Sequence, residues 1–190
     1  MHTIEPYYNW RHLYIASSDE RSPLYGRVYN EFGYDQKIYN YFIHPQWDNI
    51  ESTTMYIKIL FVDYDEGTAI IELIGEWNDL IDNDIMLLKR NIVDSLLKNG
   101  IYRFIIIGEN VLNFHGDADD YYEEWYEDIS EDFGWVVLLN FRKHIIEEMQ
   151  QNNINHYFNF NNEEAFIDWR TLKPKHLIQK IETTIVQQIG

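Results

Sequence analysis

The sequence predicts an α/β fold built on a mixed sheet, and three observations carry that prediction. Thr68–Glu76 is β-branched and apolar nearly throughout, as a strand covered on both faces must be. After Trp77 the period changes: Ile81, Ile85, Leu88, Ile92 and Leu96 recur at steps of three and four, one stripe of a helix of about five turns. The alternation then repeats, with Tyr102–Gly108 as a second buried strand, a helix over 117–132 and Trp135–Asn140 as a third strand. Strands alternating with single helices imply parallel strands joined by right-handed crossovers, with the helices packed on the sheet.

Taken from the N-terminus, residues 1–52 are an aromatic-rich extension, too dense in Tyr, Trp and Phe to remain solvated, and expected to pack on the main sheet. Within it Trp10–Ala16 and Ile38–Ile43 are strand candidates, and Ser17–Pro23 reads as a loop. Residues 53–151 form the core unit. Met55–Asp63 is a strand, and Tyr64–Gly67 a turn whose glycine supplies a positive φ. This strand and Thr68–Glu76 are expected to pair as an antiparallel hairpin leading into the alternating unit. Gly75 near its end suggests a bulge or a close backbone approach. Asn78 or Asp79 caps the first helix and Asn99–Gly100 stops it. Tyr122, Trp125 and Ile129 form the inner stripe of the second helix, which Gly134 ends, and Phe141, Ile145, Ile146 and Met149 mark a third. Residues 152–190 supply an edge strand at His156–Phe160, a helical turn at Glu163–Trp169, and a final amphipathic helix carrying Leu177, Ile178, Ile181, Ile185 and Ile189, with Pro174 in its first turn. The chain reads as a single domain, 1–190.

The net charge of -17 is unevenly distributed. Ile59–Leu88 holds eight acids and Phe104–Phe141 ten, and neither stretch contains a Lys or Arg. Such a field repels nucleic-acid backbones and anionic lipid surfaces, and it is compatible with a basic protein partner or bound cations. No apolar run approaches the roughly 20 residues that span a bilayer. Without a signal-peptide pattern at Met1–Pro6 and without cysteine, the expected compartment is the cytoplasm.

The order hairpin, helix, strand, helix, strand, helix over Met55–Gln151, with Ile71–Asp79 entering a helix, resembles the STAS-like fold of the anti-sigma-factor antagonists and related domains. That resemblance implies a regulatory domain acting through protein contacts. Antagonists of this kind carry a phosphorylatable serine or threonine at the start of the helix after the third core strand. The matching stretch here, Asn113–Asp120, has no hydroxyl residue, so the phosphoswitch does not carry over. Asp117 and Asp119 place negative charge there instead, where helix capping accounts for them.

Two sets of candidate site residues follow. Tyr121, Glu123, Glu124, Tyr126, Glu127 and Asp128 form an acidic helix face edged by tyrosines, suited to a basic protein surface. The alternative uses the carboxyl ends of the parallel strands, where Glu76 and Asp79 follow one strand and His115, Asp117 and Asp119 follow the next. Oxygen ligands with one histidine suit Mg²⁺, Mn²⁺ or Ca²⁺ in a divalent-cation-dependent enzyme. No Gly-x-Ser-x-Gly, Walker-type, Gly-x-Gly-x-x-Gly or His-Glu-x-x-His motif occurs, so no catalytic residue and no cofactor is assigned. The leading expectation is a non-enzymatic regulatory or scaffolding domain.

Overall fold

The computed structural model describes residues 4–161 and 166–189. A six-stranded mixed sheet runs in the order β3 (Asp48–Asn49), β4 (Met55–Asp63), β5 (Thr68–Asn78), β6 (Arg103–His115), β7 (Trp135–Leu139), β8 (Asn159–Phe160). β4 pairs antiparallel with β3 on one side and with β5 on the other, and β5 through β8 are parallel, as the alternating pattern required. A separate two-stranded hairpin, β1 (Lys37–Ile38) with β2 (Tyr41–Phe42), lies in the N-terminal extension.

Each central strand is buried on both faces because each face has its own core. On the first, Ile71, Leu73 and Trp77 of β5 and Phe104, Ile106 and Phe114 of β6 pack with Ile85, Leu88 and Leu96 and with the inner stripe of α3 (Asp120–Ser130) and α4 (Lys143–Gln151). On the second, Ile70, Ile105, Ile107, Val137 and Leu139 meet Leu177, Ile178, Ile181 and Ile185 of α5 (Pro174–Ile189), closed by Trp10 and Trp169. Two-sided cover is the physical origin of the unbroken apolar runs. The Ile189 side chain lies outside the described residues.

Several expected boundaries move. Trp10–Ala16 is a succession of turns rather than a strand. The Leu13 and Tyr14 amides both donate to the Trp10 carbonyl, and Trp10 and Ala16 are buried while Leu13 and Ile15 face solvent, which is not a strand's alternation. Ile38–Ile43 is the tight β1–β2 hairpin, with Tyr39 at φ +52 in the turn. The first helix begins later than its stripe suggests, as α1 (Asp84–Leu88), a π segment (Lys89–Val93) and α2 (Asp94–Leu97). Asn83 is its cap. Asn78 instead holds the preceding turn, its Oδ1 accepting from Ile81 N–H at 3.1 Å, while Asp79 Oδ1 reaches the first turn of α1 and accepts from Ile85 N–H at 2.9 Å. Ile81 is therefore 65% exposed. The π turn buries Ile92 and Val93 together and carries Lys89 inward.

β6 is also longer than expected, continuing past Gly108 to His115 because β5 extends beside it to Asn78. Its asparagines are cross-strand donors, Asn110 to Glu72 at 3.4 Å and Asn113 to Glu76 at 2.8 Å. The edge strand was expected at His156–Phe160; only Asn159–Phe160 pairs, because Ile154–His156 forms a 3₁₀ turn. The turn expected at Glu163–Trp169 is described only from residue 166, where Trp169–Thr171 is 3₁₀. Among the described residues no helix is long and apolar enough to cross a membrane.

Gly75 bears out its expectation of a close approach. Its φ is +115 and a Cβ there would run into the Thr54 carbonyl oxygen and the Ile38 side chain. Gly75→Ala is expected to lose about 3 kcal/mol, combining a disallowed φ with a backbone clash, and to melt roughly 6–12 °C lower. Gly26→Ala is the control, with φ +75 and nothing within 4 Å of the added methyl. It should cost only about 1 kcal/mol in the same thermal melt.

Candidate interaction surface

α3 is an acidic helix whose buried stripe, Tyr122, Trp125 and Ile129, anchors it on the sheet. What remains exposed divides into two unlike halves, and the division comes from the helix opposite. The π turn aims Lys89, only 1% exposed, at α3. Its Nζ donates to Asp128 Oδ2 at 2.7 Å and to Glu124 Oε1 at 3.3 Å, and also to Asp94. Arg90 adds a two-pronged pair to Glu124, at 2.5 and 2.7 Å, and a contact to Asp94 at 3.1 Å. The Arg90 hydrogen bonds hold the Glu124 carboxyl below its ordinary range. Burial acts to raise Asp94, and the bonds from Lys89 and Arg90 outweigh it. Three carboxylates thus face two cations, leaving this half close to neutral. Tyr121 belongs to it, with the Arg90 guanidinium 5.3 Å from its ring centroid.

The other half has no such compensation. Glu123 and Glu127 are exposed and neither carboxylate has a cation partner among the described residues. Tyr126, 45% exposed, flanks them one turn on from Glu123, with its ring centroid 6.2 Å from that of Tyr157. Tyr157 is fixed by donating its hydroxyl to Asp119 Oδ2 at 2.8 Å, an acceptor that pushes the phenol up to about 12. Phe133, at φ +53 and almost wholly exposed, lies with Trp135 and His156 in the same open groove of about 740 Å³.

Of the strand-end residues, β5 and β6 do finish side by side. Asn78 pairs in register with His115, and Asp79 N–H donates to the His115 carbonyl at 2.9 Å. β7, however, stops at Leu139 opposite Ile107, well short of that rim. Asp79 points inward, accepting from Tyr122 Oη at 2.6 Å and Trp77 Nε1 at 3.1 Å, and burial raises its carboxyl to about 6. Glu76 accepts from Tyr39 Oη at 2.6 Å and from Asn113. Asp119 stands at the N-cap position of α3 but makes no side-chain cap bond, being held by Tyr157. Asp117 precedes the helix in the connection after β6. Among the described residues, Glu76, Asp79, His115, Asp117 and Asp119 supply no three donor atoms close enough to share an ion. The acids that do converge, within 4.8 Å, are Asp94, Glu124 and Asp128, and the Lys89 ammonium is bonded to all three.

Sequence reasoning missed Lys89 and Arg90 as counter-ions, since they lie 34 or more positions from Glu124 and Asp128. It also missed a polar cluster on the second face. Glu72, 1% exposed, accepts from Tyr7 N–H at 2.9 Å and lies 3.5 Å from Arg170, which also pairs with Glu109. Glu109, one residue past the strand end expected at Gly108, lies within β6 and also accepts from Trp169 Nε1 and Asn140 Nδ2, each at 2.8 Å. Burial raises the Glu72 carboxyl to about 7.

No family model matches the sequence, and no curated protein matches it. Among solved structures the chain is similar to SpoIIAA, the cell fate determinant of Bacillus, in its phosphorylated form, at 15% identity and a TM-score of 0.40 over 57% of this chain and 93% of that one. The unphosphorylated form of the anti-sigma factor antagonist SpoIIAA gives 16% identity and a TM-score of 0.44, over 57% of this chain and 90% of that one. A putative anti-sigma factor antagonist from Thermotoga maritima gives 14% and 0.41, over 57% and 86%. The chain itself is a hairpin leading into alternating helices and parallel strands, with the aromatic-rich extension and α5 added to it.

Proposed function

We propose that the chain is a cytoplasmic, non-enzymatic regulatory or scaffolding domain, one unit over 1–190, that docks a basic surface of a protein partner on the uncompensated half of α3. The observation that carries this reading is the asymmetry of the helix. Glu124 and Asp128 are neutralised within the fold, whereas Glu123 and Glu127 keep their charge in solvent beside Tyr126 and Tyr157. Tyrosine with exposed carboxylate suits recognition of Lys and Arg, because the ring gives contact area and a cation–π face while the acids steer approach. Tyr121, Glu124 and Asp128, parts of the same helix, act in this reading as the support that holds α3 against the π turn.

Glu123→Lys/Glu127→Lys tests it. The double variant should fold as the wild type does, since neither side chain has an ionic partner to lose. The immobilised wild type should recover a basic polypeptide from cell lysate, with retention falling steeply as salt rises, and the variant should recover none of it. Equal recovery by both proteins, or nothing specific with the wild type, overturns the reading.

A further inference from the structure

Beyond Glu72 and Glu109 the second face of the sheet changes its cover. α5 reaches Ile70, Ile105 and Ile107, but Tyr56 of β4 and Ile74 of β5 lie under the β1–β2 hairpin. The hairpin is fastened at Tyr39, whose hydroxyl bonds Glu76. Because β7 ends opposite Ile107, the far edge of β6 is met by the turn into α4, where His144 Nε2 lies 2.9 Å from the Leu112 carbonyl. Between hairpin and turn a cleft of about 530 Å³ remains, at the carboxyl ends of parallel strands where ligand sites of such sheets lie. Ile38, Ile43, Ile74 and Leu112 give it an apolar floor, and Tyr39 and Tyr41 form one wall.

Arg142 stands on the opposite side of the cleft. Its guanidinium has no ionic or hydrogen-bonding partner among the described residues, in a chain with 32 acids to 15 bases. A charge left unanswered beside an apolar cleft asks for an anion joined to an apolar body. Glu76, also on the rim, limits that anion's charge, since a dianion such as a phosphate ester would meet its carboxylate.

We propose that this cleft binds a small amphipathic monocarboxylate, its apolar tail on Ile38, Ile74 and Leu112 and its carboxylate on Arg142. The site is separate from the α3 face and stands whether or not that face docks a partner.

Titration calorimetry of the full chain with octanoate, octanol and octyl phosphate tests it. Octanoate should bind saturably and about tenfold more tightly than octanol, the difference being the charge-assisted contact to Arg142. Octyl phosphate should be weaker than octanoate. Arg142→Met, at an exposed position, should fold normally and lose the preference for octanoate over octanol. Leu112→Trp should fill the cleft and abolish binding of both. Glu123→Lys/Glu127→Lys should bind octanoate as the wild type does. Absence of saturable binding up to about 10 mM octanoate, unchanged affinity in Arg142→Met, or tighter binding of octyl phosphate each overturns the assignment.

Discussion

Lys89→Met is expected to destabilise the fold by about 3 kcal/mol and to make its stability depend on divalent cations. The lysine is buried, and its ammonium bonds Asp94, Glu124 and Asp128 together. Methionine keeps the apolar stem of the side chain as far as Cε but leaves three carboxylates facing one another with only Arg90 beside them. Removing one member of such a cluster costs roughly 3–5 kcal/mol when the partners are fully buried, and these acids are partly solvated, which favours the low end. For a chain of this size the melting temperature should drop by roughly 6–12 °C. Because donor atoms of the three acids lie within 4.8 Å of one another, Ca²⁺ or Mg²⁺ should restore part of the loss in the variant and leave the wild type unchanged. Thermal melts with and without millimolar Ca²⁺ or with chelator check this. A variant as stable as the wild type would show that the cluster contributes nothing to holding α3.

Stability should also fall as pH rises from about 5 to 7, the reverse of ordinary acid denaturation, and Glu72→Gln should remove much of that slope. Burial raises Glu72 from 4.5 to about 7 and Asp79 from 3.8 to about 6, and it raises Asp84 as well. An acid whose folded pKa is raised binds, between its ordinary and its folded value, a proton that the unfolded chain has released. Its contribution is therefore greatest below the ordinary value, declines as pH climbs through the window and levels off above the folded value. For Glu72 the window runs from about 4.5 to about 7, worth about 3 kcal/mol at 1.36 kcal/mol per unit. Asp94 and Glu124 shift the other way, and their stabilisation is lost only below the ordinary carboxylate range. Glutamine at 72 can still accept from Tyr7 N–H but carries no charge to desolvate. At pH 8 the variant should be more stable than the wild type by about 1–2 kcal/mol, after allowing for the lost Arg170 pair, and at pH 5 it should hold no advantage. Urea denaturation at unit intervals between pH 5 and 8 gives both slopes, and parallel slopes would contradict the assignment.

The parts of this architecture legible in the sequence were those set by local periodicity. The hairpin of Met55–Asp63 with Thr68–Glu76, the stripe Tyr122, Trp125 and Ile129, and the close approach at Gly75 all follow from side-chain pattern and backbone sterics. Local preference misleads where tertiary contacts override it. Asn110, Asn113 and His115 look like loop residues, yet they lie in a strand because β5 supplies ladder partners and Glu72 and Glu76 accept from the two amides. Ile81 fits a helical stripe and is exposed, because Asn78 holds it in a turn ahead of the helix. The site was half legible for the same reason. An acidic helix can be read from its composition, but which acids are already neutralised depends on a lysine carried inward by a π turn 35 residues earlier.

On the proposed function, one half of α3, and not the other, meets a partner. Placing a photoreactive benzoyl-phenylalanine at Tyr126 and, separately, at Tyr121, then irradiating in cell lysate, tests it most directly. Crosslinks are expected from position 126 to a basic polypeptide, lost in high salt, and none from position 121. Crosslinks to that polypeptide from position 121, or none from position 126, would contradict it.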